Sequence, residues 1–355
     1  MPDSFNGLTA DAGVPAPVRM RELLLGFVTS MALYTVAELD TATALLDGPK
    51  TVQELADIAG ADADVLRRIL RLVASVGVFQ LNGDTVEIND LGATLADGTD
   101  GSVRHTARYW METHYAPFND LLHTARTGQT AAEHHLGKPF FDWIAASPRL
   151  SGIQNAGMAS ITSIGRDVMF DGYQLPGDGT VADIGGNDGS VLCELLAKQP
   201  GRRGIVLDLA NVVQGAHAQL AAAGLSNDVQ VVEGDFFESV PTADVYLLSA
   251  VLHDWDDESS LRILRNIASA ASPGGRLVLI DLVIADENDG ARADKALDRF
   301  NRHHTREIDV IMTAMLGGRE RTANDWKTLL GSAGFITDRI VPSPGIFSII
   351  ETTRK

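Results

Sequence analysis

The sequence predicts a two-part α/β chain: a doubly wound, mostly parallel sheet of seven strands, preceded by a mainly helical, winged-helix-like domain. Three observations predict it. From residue 180 onward, apolar runs alternate with helical patterns, giving candidate strands at 180–184, 204–208, 229–233, 244–249, 275–281, 335–340 and 346–351. Strands spaced this way argue for a parallel sheet with helices on both faces. The stretch Val181-Ala182-Asp183-Ile184-Gly185-Gly186-Asn187-Asp188-Gly189-Ser190 passes from an apolar run through an acid and a glycine-dense turn into a helical pattern at Val191. That is the strand–loop–helix entry to a nucleotide-type pocket. Near the N-terminus, two amphipathic segments and an alternating stretch around Asn82-Gly83 give helix, turn, helix, hairpin, the layout of a winged helix.

In chain order, residues 1–17 are rich in Gly, Pro and Asp and read as a flexible arm. Residues 18–105 form the winged-helix-like part. Its most apolar segment, Leu23 to Ala37, is interrupted by Thr29, Ser30 and Thr35 and flanked by Glu22 and Glu38. It falls short of the ~18–20 residues a membrane span requires and reads as a buried, interfacial helix. Thr51-Val52-Gln53-Glu54 is a capping box that opens a helix stopping near Gly60. Asp64 to Ser75 follows with Leu66, Ile69, Leu70 and Val73 on one side, and Gly77 to Ile88 alternates as a hairpin. Arg67, Arg68 and Arg71 on the second helix would suit DNA. Asp62, Asp64 and the acidic total favour a packing or dimerisation role instead. Residues 106–175 are helical and aromatic-rich, and 176–355 carry the sheet. The last two strands lie close enough to form an antiparallel pair at one edge. Asp286 to Arg306 is polar and charge-dense and reads as a basic lid, a dimer-contact loop or simply a disordered solvated loop.

The totals bound the partners. The 355 residues allow two domains, and 45% hydrophobic residues allow a sizeable core. A net charge of -18 makes a polyanion an unlikely partner, so no nucleic acid is expected. Cys193 is the only cysteine, which excludes an intrachain disulfide and suits a reducing cytoplasm. Met1 to Pro17 lacks a basic region followed by an apolar stretch, so neither a signal peptide nor membrane association is expected.

The glycine loop is not a dinucleotide fingerprint, because Asn187 stands where G-x-G would need its second glycine. The pattern is acid-x-G-G-x-x-G. Asp183 would repel a pyrophosphate and welcome a positive charge. A second acid, Asp208, ends the next strand and can accept from both hydroxyls of a ribose. A third, Asp235, follows the third strand and can accept from an adenine amino group while Phe236 covers the ring. Three acids at three successive strand ends describe a pocket for an adenosine bearing a cation, which S-adenosylmethionine (SAM) fits.

These residues resemble the small-molecule O-methyltransferases of bacteria and plants that join a winged-helix-like dimerisation domain to a class I SAM domain. The likeness covers roughly residues 20–355. Asp183-Ile184-Gly185-Gly186-Asn187-Asp188-Gly189 is similar to the family's D-V-G-G-G-T-G, and Asn tolerates positive φ better than other side chains. The resemblance implies SAM contacts at Gly185, Gly189, Asp208, Asp235, Phe236 and Ser249. It also implies a homodimer with interlocked N-terminal helices.

Leu252-His253-Asp254-Trp255, leaving the fourth strand, resembles the family's catalytic element and implies His253 as general base. Methyl transfer from a sulfonium needs the acceptor aligned and deprotonated. Asp281 and Glu320 match the positions of the acids that orient the base; the family usually has glutamate at the first. Asp309 and Met312 lie on a segment similar to the acid-x-x-Met helix that lines the acceptor pocket, and Met315 follows. Trp110, Met111, Phe140, Trp143 and Met158 are candidate pocket walls. No metal is expected, because no cluster of histidines and carboxylates sits at the pocket motifs. His134-His135 and His303-His304 are adjacent pairs that do not share a face. The expected reaction is methylation of a hydroxyl on an aromatic or polyketide-like natural product. One alternative keeps SAM as a structural charge for hydroxylation, decarboxylation or cyclisation. Another, of a different class, is a winged-helix DNA-binding regulator.

Overall fold

The computed structural model describes residues 14–163, 169–284, 296–343 and 345–355. The chain divides into two units, residues 1–116 with 141–164, and residues 117–140 with 165–355.

In the first unit, helices Ala16–Leu24 and Gly26–Glu38 meet at Leu25. Together they are long and apolar enough, by length and composition alone, to cross a membrane. The helix expected to be buried is so only in its second half. Ala32, Val36 and Ala37 enter the core, while Leu23, Leu24, Leu25, Phe27 and Val28 are exposed. Helix Val52–Ala59 starts at the expected capping box: Thr51 accepts from the Glu54 N–H, and the Glu54 carboxylate accepts from the Thr51 N–H. Gly60 closes it in the left-handed region. Helix Ala63–Ser75, capped by Asp62, buries Leu66, Leu70 and Val73. Strand β1 (Lys50–Thr51) pairs with β3 (Thr85–Ile88), which pairs with β2 (Phe79–Asn82). Asn82 pairs with Thr85, so the hairpin loop is Gly83-Asp84, one residue later than the Asn-Gly reading. Gly83, at φ 64°, supplies the positive φ that a two-residue loop requires. Arg67 pairs with Asp84 at 2.5 Å and Arg68 with Asp64 at 2.6 Å.

The second unit holds the sheet. Its strands are β4 (Val181–Ile184), β5 (Gly204–Asp208), β6 (Val229–Glu233), β7 (Val245–Ser249), β8 (Arg276–Ile284), β10 (Phe335–Pro342) and β11 (Phe347–Arg354), with β9 (Arg321–Thr322) beside β8. The order is β10-β11-β8-β7-β4-β5-β6. Strands β4 to β8 pair in parallel, and β11 runs antiparallel to both β8 and β10. The period of two divides each strand between two cores. Val181, Val245, Leu247, Val278 and Ile280 face one, shared with helices Ser190–Lys198 and Ala216–Ala222. Ala182, Tyr246, Leu248, Leu277 and Leu279 face the other, shared with helices Asp257–Ala270 and Ala323–Ser332. Because β4 to β7 are parallel, Ile184, Asp208, Glu233 and Ser249 end at one edge. The order switches direction at β4, the place where open α/β sheets bind ligands.

Helix Ala296–Met315 corrects the expectation for 286–306. From Ala296 that stretch is helix rather than loop, its polar residues spaced so that His303, Arg306 and Glu307 are exposed and Thr305 is buried. Residues 286–295 lie outside the described residues.

Candidate active site

The loop after β4 is built to let a backbone approach a ligand. Gly185, Asn187 and Gly189 have φ of 72°, 51° and 74°, so asparagine holds the left-handed turn where the family pattern has glycine. A Cβ on Gly185 would lie 3.0 Å from the Val251 side chain and 3.5 Å from the Phe236 ring. One on Gly186 would lie 2.8 Å from the Asp183 carboxylate. Asp183 is 1% exposed at the end of β4. Asp208 ends β5, and its two oxygens accept the N–H groups of Asn187 (2.9 Å) and Leu209 (2.7 Å). Burial pushes its carboxyl up, against those two hydrogen bonds. Each oxygen keeps a lone pair for a further donor. Asp235 accepts from the Phe237 N–H at 2.8 Å. Phe236 belongs to an aromatic cluster, its ring 5.0 Å from Phe237 and 6.2 Å from Trp255. Ser249 is the last residue of β7. A tight glycine cradle bordered by three carboxylates fits a cationic nucleoside and disfavours a pyrophosphate.

Beyond β7, the 3₁₀ turn Leu252–Asp254 carries His253, which is 7% exposed. Strand β8 brings Asp281 to it, and the parallel pairing of Arg321 with Val283 brings Glu320 beside the same strand. His253 Nδ1 lies 2.8 Å from Glu320 Oε1 and 3.6 Å from Asp281 Oδ1, and its Nε2 lies 3.5 Å from Asp254 Oδ1. Glu320 is therefore the hydrogen-bond partner, and the shorter Asp281 acts across a gap. Burial alone would lower the His253 pKa. The carboxylates of Asp281, Glu320 and Asp254 and the hydrogen bond to Glu320 overcome this and carry it from 6.5 up to about 10. Burial raises Asp281 well above the usual carboxylate range, with His253 opposing and Glu320 reinforcing. Asp254 is pushed up to about 6 by burial, against His253.

The fold overturns one expectation here. Ligand-type atoms of His253, Asp281 and Glu320 lie within 4.8 Å of one another, so a histidine–carboxylate cluster does form at the pocket. Strand pairing joins residues that are scattered in the sequence. Asp309, expected as a pocket residue, accepts the Glu320 N–H at 2.8 Å. Met312 lies on the same helix, and Met315 is core at 2% exposure. Phe140 belongs to the second unit and is buried; Trp110, Met111, Trp143 and Met158 belong to the first. Trp110 and Met111 sit in a π-helical turn, Trp110–His114, a feature frequent at functional sites. Sequence reading missed Asp254, Gly318 and Arg321. The triplet His253-Asp254-Trp255 contained a signal for the first.

Known proteins share this architecture. A family model described as O-methyltransferase domain matches residues 118–336, more than half the chain, and one described as O-methyltransferase dimerisation domain matches residues 21–97. A phenazine O-methyltransferase from Lysobacter antibioticus is 36% identical over 340 residues, 95% of this chain and 96% of that one. An aclacinomycin 10-hydroxylase from Streptomyces purpurascens is 35% identical, over 92% of this chain and 87% of its own. The solved structure of an O-methyltransferase from neocarzinostatin biosynthesis, in complex with SAM and 2-hydroxy-5-methyl naphthoic acid, superposes with a TM-score of 0.77. It is 32% identical and covers 92% of this chain and 96% of its own.

Proposed function

The chain belongs to the SAM-dependent O-methyltransferase family, and we propose that it methylates a hydroxyl of an aromatic or polyketide-like small molecule with His253 as general base. The observation that carries this reading is the 2.8 Å contact between His253 Nδ1 and the buried Glu320 carboxylate. Nδ1–H donates to Glu320, which fixes the ring and leaves Nε2 with the lone pair that takes a proton.

SAM supplies an electrophilic methyl group on a sulfonium. Gly185 and Gly189 give it room, Asp208 accepts from its ribose, and Asp235 with Phe236 holds its adenine. Asp183 places a negative charge behind the loop. His253 accepts the acceptor's proton as the oxygen becomes a nucleophile. Burial opposes its protonation, but the carboxylates of Asp281, Glu320 and Asp254 raise its proton affinity, so the ring is a strong acceptor for a phenolic proton at the pH where Nε2 is deprotonated. Glu320 and Asp281 stabilise the imidazolium that forms. Asp309, Met312 and Phe140, all in the second unit, are proposed to contact the acceptor.

The exposed apolar residues Leu23, Leu24, Leu25, Phe27 and Val28, in a segment matched by the dimerisation model, support a homodimer in which a second copy covers them. Two of the three arginines of helix Ala63–Ser75 are paired with acids, which supports packing over DNA binding.

The test is incubation with methyl-labelled SAM and a panel of phenols, naphthols and hydroxyphenazines, beside His253→Ala. Labelled product that disappears in the variant, with unchanged affinity for S-adenosylhomocysteine (SAH), supports the assignment. Full turnover in His253→Ala refutes the base.

A further inference from the structure

We propose that Arg321 is a positioning residue: its guanidinium grips the turn carrying His253 from both sides and so fixes the base against Glu320. This rests on the reading of His253 as base. Arg321 is wholly buried, and apart from a 3.4 Å contact of Nη1 with the Arg319 carbonyl its donors reach the β7–helix connection. Nη1 donates to the Leu252 carbonyl at 3.0 Å and Nη2 to the Trp255 carbonyl at 3.0 Å. Leu252 and Trp255 bracket His253 and Asp254. Nε and Nη2 both donate to Asp257 Oδ1, at 3.0 and 2.8 Å, and Nη2 reaches Ser260 Oγ at 3.2 Å. Asp257 and Ser260 open the helix that follows the turn. One planar fork thus joins both ends of the His253 turn to the strand residue next to Glu320.

The backbone completes the clamp. The Arg319 N–H donates to the His253 carbonyl at 2.9 Å. Gly318 packs so closely that a Cβ there would lie 2.0 Å from the same carbonyl oxygen. Segment 318–321 is therefore docked on turn 252–255 at the carbonyls of Leu252, His253 and Trp255. The Nδ1–Oε1 distance of 2.8 Å follows from that docking rather than from the two side chains alone.

Stability by itself does not account for an arginine here. Its ion-pair partner Asp257 has a half-exposed side chain, and burying a guanidinium costs more than burying an apolar side chain of equal size. What arginine uniquely supplies is five donors in a rigid plane. Lysine would keep the charge and lose the simultaneous grip on two carbonyls and a carboxylate.

The experiment uses full-length Arg321→Lys, with Asp257→Asn as a second variant that leaves the arginine in place. The pH titration of the His253 imidazole is followed by ¹⁵N NMR, SAH affinity by calorimetry, and kcat and KM on the best acceptor. Expected in Arg321→Lys are a His253 titration shifted to lower pH, SAH affinity within twofold of wild type, kcat reduced at least tenfold and KM within threefold. Asp257→Asn moves the titration in the same direction by less. The NMR arm needs no acceptor: a shifted titration supports the clamp even if no phenol is methylated, so failure of the methyltransferase reading is told apart from failure of this one. A titration superimposable on wild type in Arg321→Lys, or in Asp257→Asn should the lysine variant not fold, overturns the proposal.

Discussion

Replacing Glu320 by glutamine removes one charge from the cluster and almost nothing else. The side-chain amide keeps an oxygen where Oε1 accepts from His253 Nδ1 at 2.8 Å, so ring orientation and tautomer survive. The negative charge that helps hold the imidazolium is lost. A hydrogen bond to a charged group is worth about 1.5–3 kcal/mol and a neutral one about 0.5–1.5, so the swap costs about 1–1.5 kcal/mol; at about 1.4 kcal/mol per unit, the raised His253 pKa should fall by about 0.7–1.1 units. Asp281 partly offsets this. Glu320 pushes its carboxyl up, so the substitution lets Asp281 ionise at lower pH and supply more of the attraction to His253. The fall should therefore lie toward the smaller end. Two assays read it: the ¹⁵N titration of the imidazole, and the rise of kcat/KM for a phenolic acceptor with pH. That rise should track loss of a proton from His253 toward pH 10 in wild type and move to lower pH in Glu320→Gln, with a reduced plateau, since a weaker base takes the phenolic proton less readily. An imidazole titration or rate limb that stays in place would refute the electrostatic account of this site.

Asp208→Asn should weaken SAH binding about 10- to 150-fold, the loss of a hydrogen bond to a charged acceptor; calorimetry giving wild-type affinity would remove the ribose assignment. Gly318→Ala places a methyl 2.0 Å from the His253 carbonyl oxygen and should cost about 1–3 kcal/mol of stability together with most of the turnover, read by denaturation and labelled-methyl assay. The raised His253 pKa also predicts a stability profile. Folded His253 binds its proton more tightly than unfolded, so this stabilisation is complete below pH 6.5 and lost as pH rises through about 10. The slope is at most about 1.4 kcal/mol per pH unit, and it should be absent from His253→Asn in thermal scans between about pH 7 and 10. Dialysis against EDTA should leave methyl transfer unchanged, because His253 Nδ1 is engaged by Glu320; loss of activity restored by a divalent ion would assign the cluster to a metal.

The sheet was legible in the sequence because its signals are local. Each strand is a short apolar run, and each ends within a few residues of where alternation and flanking glycines place it. The acids of the proposed nucleoside pocket follow directly: Asp183, Asp208 and Asp235 lie near the ends of consecutive strands, and parallel pairing carries them to one edge. Asn187 was readable in the same way, since a glycine position taken by asparagine points to positive φ, and φ is 51° there. The hairpin loop was misplaced by one residue because Asn82-Gly83 and Gly83-Asp84 are both acceptable turn dipeptides, and the pairing of Asn82 with Thr85 decides between them. The exposed first half of the apolar N-terminal segment could not be foreseen, because hydrophobicity reports a need for burial and not which surface provides it.

What stayed hidden around His253 is long-range. Glu320 lies 67 positions from the base, and Arg321 reaches the Leu252 carbonyl across 69. No periodicity relates such positions; only the parallel register of β9 against β8 brings them together. A motif could name the histidine but not its proton affinity, because that affinity is a balance. Burial pulls it down while three carboxylates and a hydrogen bond pull it up. The same imidazole with Glu320 displaced by an ångström would be a weaker base at the same place in the fold. If His253 is the base proposed above, its proton affinity depends on the docking of segment 318–321 on turn 252–255, and a sequence that kept the histidine but lost that docking would lose the raised affinity.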